Sequence, residues 1–151
     1  MPQSLAANYV HIVFSTYTRI AYFEDEDVRA RVFAGLATIS NNLGCRTVIV
    51  GGVSDHVHIL SRLSPTVCLS DLVRDLKSNS STYIKRQGPR LSEFRWQGGY
   101  GAFSVAAPEL LAVRRYIDSQ EEHHRKESFQ DEMRRILREH DLNWNERYLW
   151  T

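Results

Sequence analysis

The sequence predicts an α+β fold of the ferredoxin-like type. This is a split β-α-β arrangement with an antiparallel four-stranded sheet, helices on one face, and additional C-terminal helices. Three observations carry this expectation. Val10, Ile12 and Phe14 alternate with His11, Val13 and Ser15 in a stretch over 8–17, the pattern of a strand with one strongly apolar face. Thr47-Val48-Ile49-Val50 and a run from His56 to Leu63 flank the turn material Gly51-Gly52-Val53-Ser54-Asp55, which makes a hairpin. Two apolar series at helical spacing separate these strands from their neighbours.

The first series is Val28, Val32, Leu36, Ile39 and Leu43. Glu24 to Asp27 suit the dipole at its start, and Gly44 ends it. The second is Leu72, Val73, Leu76, Tyr83 and Ile84, with Ser70 as the expected N-cap and Gly88-Pro89 as the stop. A loop holding Trp96 and Gly98-Gly99 leads to a fourth strand over Tyr100–Val105. Pro108 suits the first position of a helix expected to run through Tyr116 and Gln120. Phe129, Met133, Ile136 and Leu137 mark one more amphipathic helix, and the tail carries Trp144, Tyr148, Leu149 and Trp150. No repeat or domain boundary interrupts the 151 residues, which reads as one domain over 1–151.

A hydrophobic share of 42% and a charged share of 25% are those of an ordinary globular protein. No apolar run is long enough to span a bilayer, and the start lacks the basic and apolar regions of a signal peptide. Two cysteines, Cys45 and Cys68, form no C-x-x-C pair and fit a reducing cytoplasm, the expected location. Net charge is only +1. From Arg62 to Arg95, however, seven basic residues face three acidic ones, and a local basic surface can bind phosphates in a near-neutral protein. Arg62, Lys77, Lys85 and Arg86 are the candidate phosphate contacts, with a plain solvated face as the ordinary alternative.

His56-Val57-His58 places two imidazoles on one strand face, roughly 6.6 Å apart along the chain, where they can converge on one ion. Asp55 can orient one of them or simply belong to the turn. Tyr116 and Gln120, at i, i+4, share a helix face. A phenol becomes a useful nucleophile once a metal or base stabilises its anion, and a neutral glutamine oxygen serves as a hard ligand that leaves the ion acidic. Each pair alone is more often packing or solvated surface; their conjunction points to strand cutting and joining on nucleic acid.

His56-Val57-His58, Tyr116 to Gln120 and the run Trp96-Gln97-Gly98-Gly99-Tyr100-Gly101-Ala102-Phe103-Ser104-Val105 together resemble the single-tyrosine HUH transposases of small bacterial insertion sequences, including their REP-associated relatives. His11 to Ser15 and Glu146 to Trp150 extend the likeness over nearly the whole chain. The resemblance implies a transposase acting on single-stranded DNA with hairpins near the element ends. It implies Tyr116 as the nucleophile forming a 5′-phosphotyrosine and leaving a 3′-OH. It also implies Mg²⁺ or Mn²⁺ held by His56, His58 and Gln120, and a homodimer. Strand exchange needs two cleaved ends held together, which favours a dimer whose sites combine the histidines of one subunit with the tyrosine helix of the other. A helix packed on its own sheet is the alternative.

Two rival functions follow from the same residues. A non-catalytic module binding single-stranded RNA or DNA would need no Tyr116 and would carry stacking aromatics where His56 and His58 stand. A hydrolase using water would survive the loss of Tyr116. Of the remaining candidates, His123 and His124 read as an exposed polar pair, with a ligand or phosphate role as the alternative. His11 reads as facing the functional side of the sheet, either supporting a site residue or inert. Trp144, Tyr148 and Trp150 read as closing the end of the core rather than stacking on bases.

Overall fold

The computed structural model describes residues 2–151, so Met1 of the start segment lies outside it. Four strands, β1 (Tyr9–Ser15), β2 (Thr47–Gly52), β3 (His56–Arg62) and β4 (Gly101–Val105), form one sheet in the order β2-β3-β1-β4. Every pairing is antiparallel, with β1 in the centre between β3 and β4. Helices α1 (Glu26–Asn42) and α2 (Leu69–Lys85) connect the strands as the split β-α-β order requires. After β4 come α3 (Leu110–Asp118), α4 (Gln120–His123), α5 (Phe129–Glu139) and α6 (Glu146–Leu149). Among the described residues no helix is long and apolar enough to cross a membrane.

The two-residue period of β1 and β3 divides the molecule into two layers. Val10, Ile12 and Phe14 of β1 and Val57 and Ile59 of β3 face α1 and α2, packing with Val32, Leu36, Leu72 and Leu76. On the other face Val13 and Phe103 meet Phe129, Met133, Ile136 and Leu137 of α5, while Leu60 and Val105 meet Ile117 of α3. His11, His56 and His58 fall on this second face, between the sheet and α3 and α5, and all are buried.

Several boundaries differ from those expected. The first strand is shorter at both ends, and Thr16 makes only an isolated bridge to Trp96. The second helix begins at Leu69 with Cys68 as N-cap, not Ser70, and no side chain caps it. The helix carrying Tyr116 stops at Asp118: Ser119 (φ −98°, ψ 20°) leaves helical geometry and its hydroxyl donates to the Tyr116 carbonyl. Gln120 therefore begins the short helix α4, although its amide still reaches that carbonyl at 3.4 Å.

Two glycines of β2 shape the site. A Cβ on Gly51 would stand 2.6 Å from the Ile117 carbonyl oxygen, so this glycine lets α3 settle directly onto the sheet. Gly52 has φ +151° and its Cβ would meet the His56 carbonyl oxygen, so the turn into the histidine strand needs glycine there.

Candidate metal and tyrosine site

The hairpin delivers His56 and His58 to the covered face, where the register sets His58 opposite Gly51 on one side and Val13 on the other. Each imidazole is oriented from behind. Nδ1 of His56 lies 2.7 Å from Oδ1 of Asp55, and Nδ1 of His58 lies 2.8 Å from Nε2 of His11. His11 thus stands behind a site residue. From α3, Leu110, Val113, Tyr116 and Ile117 face the sheet, which sets the Tyr116 ring 5.9 Å from that of His58. Within the single chain described, Tyr116 and Gln120 lie over its own histidines.

The centre of the site is a residue the sequence did not single out. Glu132, fully buried on α5, accepts from the Tyr116 hydroxyl and from the Gln120 amide (3.1 Å) through Oε2. Its Oε1 lies 3.1 Å from His58 Nε2, 3.0 Å from His124 Nε2 and 3.4 Å from His56 Nε2. His56 Nε2 is also 3.3 Å from the Gln120 side-chain oxygen. His124 is therefore a nearly buried member of this cluster, which overturns its expected place on the surface; His123 lies beside it, 3.5 Å from Glu132 and partly exposed. Arg135, one turn along α5, donates to the Tyr116 oxygen at 2.8 Å.

The sequence carried a signal for Glu132. It sits among Phe129, Met133, Ile136 and Leu137, a carboxylate inside an apolar stripe, and a charge there has to be partnered. Ser128 caps that helix through the Asp131 N–H, and Glu132 in its first turn suits the helix dipole.

The electrostatics follow from burial and from two carboxylates, Glu132 and Asp55. Burial opposes the charge on Glu132, but hydrogen bonds from His124, His56 and His58 outweigh it and hold the group well below the usual carboxylate range. Burial also opposes protonation of His56, yet Asp55 and Glu132 raise it to about 9. His58 and His11 lack that surplus of acceptors; desolvation lowers them to about 4 and about 3. Tyr116 is pushed well above the ordinary phenol value by desolvation and the adjacent Glu132, with Arg135 pulling the other way.

His56, His58, His124 and Glu132 each offer one ligand atom, all within 4.8 Å of one another, a donor set that fits a divalent transition ion. A cleft of about 500 Å³ opens beside it, bordered by Arg29, Asp55, His124, Arg125 and Phe129.

The expected phosphate contacts are dispersed. Lys77 donates to the carbonyls of Gln97 and Gly99 at 2.8 and 2.7 Å, and burial lowers its ammonium to about 8. Arg62 donates to the Ala6 carbonyl. Lys85 and Arg86 are exposed at the end of α2, on the sheet face opposite the histidines. In the tail, Trp144 and Trp150 pack against α5 residues while Tyr148 is 62% exposed.

The profile of the family described as "Transposase IS200 like" matches residues 4–120. The chain belongs to the IS200-like transposase family. The ISDra2 transposase TnpA of Deinococcus radiodurans is 28% identical over 90 residues, covering 56% of this chain and 64% of its own length. This family member thus matches less than two thirds of that relative. A crystal structure of a candidate transposase from Deinococcus radiodurans superposes with a TM-score of 0.58 at 20% identity, covering 80% of this chain and 96% of the other. A REP-associated tyrosine transposase bound to a REP hairpin gives 0.54 at 9% identity, covering 80% and 68%. At such identities these two likenesses establish the fold. The family match ends at Gln120, before His124, Glu132 and Arg135.

Proposed function

We propose that this IS200-like family member is a metal-dependent transposase that cuts and rejoins single-stranded DNA through a 5′-phosphotyrosine on Tyr116. The observation that carries this reading is the meeting of the Tyr116 hydroxyl, Gln120, His56 and His58 at one buried carboxylate. His56 and His58, with Gln120 beside them, are the residues to hold Mg²⁺ or Mn²⁺. When bound, such an ion polarises the scissile phosphate and lowers the cost of a phenolate nearby.

The chain's own groups do the rest. Arg135 donates to the Tyr116 oxygen and favours its anion, while Oε2 of Glu132 accepts from the hydroxyl and orients it; the proton the phenol gives up is balanced by the one the leaving 3′-oxygen takes up. The tyrosine oxygen forms a bond to phosphorus as the bond to the 3′-oxygen breaks; that oxygen takes up a proton and departs as a 3′-OH. Attack by another 3′-OH reverses the exchange, so no nucleotide cofactor is consumed. The REP-hairpin complex of the structural relative supports hairpin-bearing single strands as the DNA partner. Two chains acting as a homodimer would hold the two ends of one element.

A module that merely binds single strands is disfavoured by one feature: α3 and α5 cover the sheet face, and His56 and His58 have no exposed surface on which bases could stack. The test is incubation with Mn²⁺ and labelled hairpin-bearing single strands, followed by a denaturing gel. A covalent protein–DNA band is expected from the wild type and none from Tyr116→Phe, with DNA binding kept within a few fold. A band surviving in the variant would remove Tyr116 as nucleophile.

A further inference from the structure

From the geometry around Glu132 we infer that His124 and Glu132 are metal ligands in their own right. They make the site a three-histidine, one-carboxylate centre that selects a transition ion such as Mn²⁺ over Mg²⁺. This rests on the metal-dependent reading above and adds to it two residues that lie beyond the segment matched by the family.

The argument is in the two ends of each imidazole. The Nε2 atoms of His56, His58 and His124 all point to one oxygen of Glu132, at 3.4, 3.1 and 3.0 Å. The Nδ1 atoms all point away, each to a different partner: the Asp55 carboxylate at 2.7 Å, the His11 imidazole at 2.8 Å and the Glu127 carbonyl at 2.7 Å. A ring nitrogen tied to an outer acceptor with its mate aimed at a common centre is how metal-binding histidines are held. A histidine that serves only to satisfy a buried carboxylate needs one such contact. Here three rings from β3 and the α4 end converge on the same point.

Burial adds to this. Glu132, His56 and His58 have no exposed surface, and three imidazoles crowd around one carboxylate, with His56 and His124 ring centroids only 4.4 Å apart. A divalent ion shared by the three ring nitrogens and one carboxylate satisfies all four donors at once in this dry site. Imidazole suits first-row transition ions, with Mn²⁺ at the weak end of that series, whereas Mg²⁺ prefers oxygen donors and gives up water reluctantly. Gln120 has a double place in the centre: its oxygen lies 3.3 Å from His56 Nε2 and its amide donates to Glu132 at 3.1 Å. Since Oε2 of Glu132 also receives the Tyr116 hydroxyl, one carboxylate joins the ion's ligands to the nucleophile.

The test is equilibrium binding of Mn²⁺ and of Mg²⁺ to the full chain without DNA, for the wild type, Glu132→Gln, His124→Ala and His58→Ala. The wild type is expected to bind Mn²⁺ at least about 100-fold more tightly than Mg²⁺. Glu132→Gln and His124→Ala are each expected to weaken Mn²⁺ binding by about tenfold or more. Retention of wild-type affinity within twofold in both, with loss in His58→Ala, overturns the proposal and leaves the function standing on the histidine pair. Uptake of neither ion by the wild type overturns the proposal together with the metal-dependent function. Independently of any variant's folding, X-ray absorption on the Mn²⁺-loaded wild type counts the imidazoles: three support the assignment and two overturn it.

Discussion

Nε2 of His11 on β1 lies 2.8 Å from Nδ1 of His58 on β3, with the two rings stacked at 5.0 Å between centroids. The ionised Glu132 can only accept, so Nε2 of His58 carries its proton toward it. Both imidazoles are held neutral by burial, which makes Nδ1 of His58 the acceptor and His11 the donor. To bind an ion through Nε2, His58 has to carry its proton on Nδ1 instead, and His11 has to switch from donor to acceptor. A neutral imidazole can do both.

His11→Phe keeps a ring but removes this exchange. We expect its divalent-ion affinity to fall by about 10- to 100-fold, the usual effect of losing the partner behind a ligating histidine. His11→Gln, which can still accept or donate, is expected to recover part of the loss. Calorimetric titration with Mn²⁺ checks this; unchanged affinity in His11→Phe would show that the pair only packs.

How far the site was legible depended on distance along the chain. The alternation in β1 put His11 on the same face as the histidine pair, and the i, i+4 spacing brought Gln120 to Tyr116 despite the break at Ser119. Glu132 was not singled out: it stands inside the apolar stripe of α5, but its partner His58 is 74 positions away, and no local pattern encodes that meeting. His124 went the same way: beside His123 it reads as a polar pair until α5 folds over it. Ser70 is the better capping residue by chemistry, yet α2 starts earlier because Leu69 and Leu72 are drawn to the core, a tertiary gain that overrides the cap.

Gly51 controls how closely α3 approaches the sheet. A methyl group there would lie 2.6 Å from the Ile117 carbonyl oxygen and 2.7 Å from its Cγ2, and neither atom has room to retreat without moving the helix. Gly51→Ala is expected to cost about 1–3 kcal/mol, the range for overpacking. It should also reduce formation of the covalent adduct, because Tyr116 precedes Ile117 on the displaced helix. Urea unfolding together with the denaturing-gel assay measures both; an unchanged midpoint would mean that the helix absorbs the methyl group.

Tyr116 and Gln120 sit over the histidines of their own chain, with Tyr116 tied to Glu132 and Arg135 of α5. Mixing Tyr116→Phe with His56→Ala subunits is therefore expected to leave cleavage absent, since every self-contained site then carries one defect. Recovery of activity after demonstrated subunit exchange would show instead that the tyrosine helix crosses to a second copy during the reaction.

Glu146 fastens the tail to α5. One oxygen accepts from Arg134 Nε at 2.8 Å and Trp144 Nε1 at 2.9 Å; the other accepts from Arg134 Nη2 at 3.1 Å and Trp150 Nε1 at 3.0 Å. The Arg134 hydrogen bonds, and then those of the two indoles, lower its carboxyl from 4.5 to about 2. A carboxylate whose folded value lies below its unfolded one adds its stability in full above about 4.5 and loses it as pH falls through about 2. Because the group is exposed, solvent screening keeps the effect small. Glu146→Gln should therefore be less stable than the wild type at pH 7, and the gap should close as pH is lowered from 4.5 toward 2. Tryptophan fluorescence during denaturant unfolding reads the tail through Trp144 and Trp150, alongside Trp96 of the core. A gap of the same size at pH 7 and pH 2.5 would mean that the substitution acts through packing of the indoles and not through the carboxylate's charge.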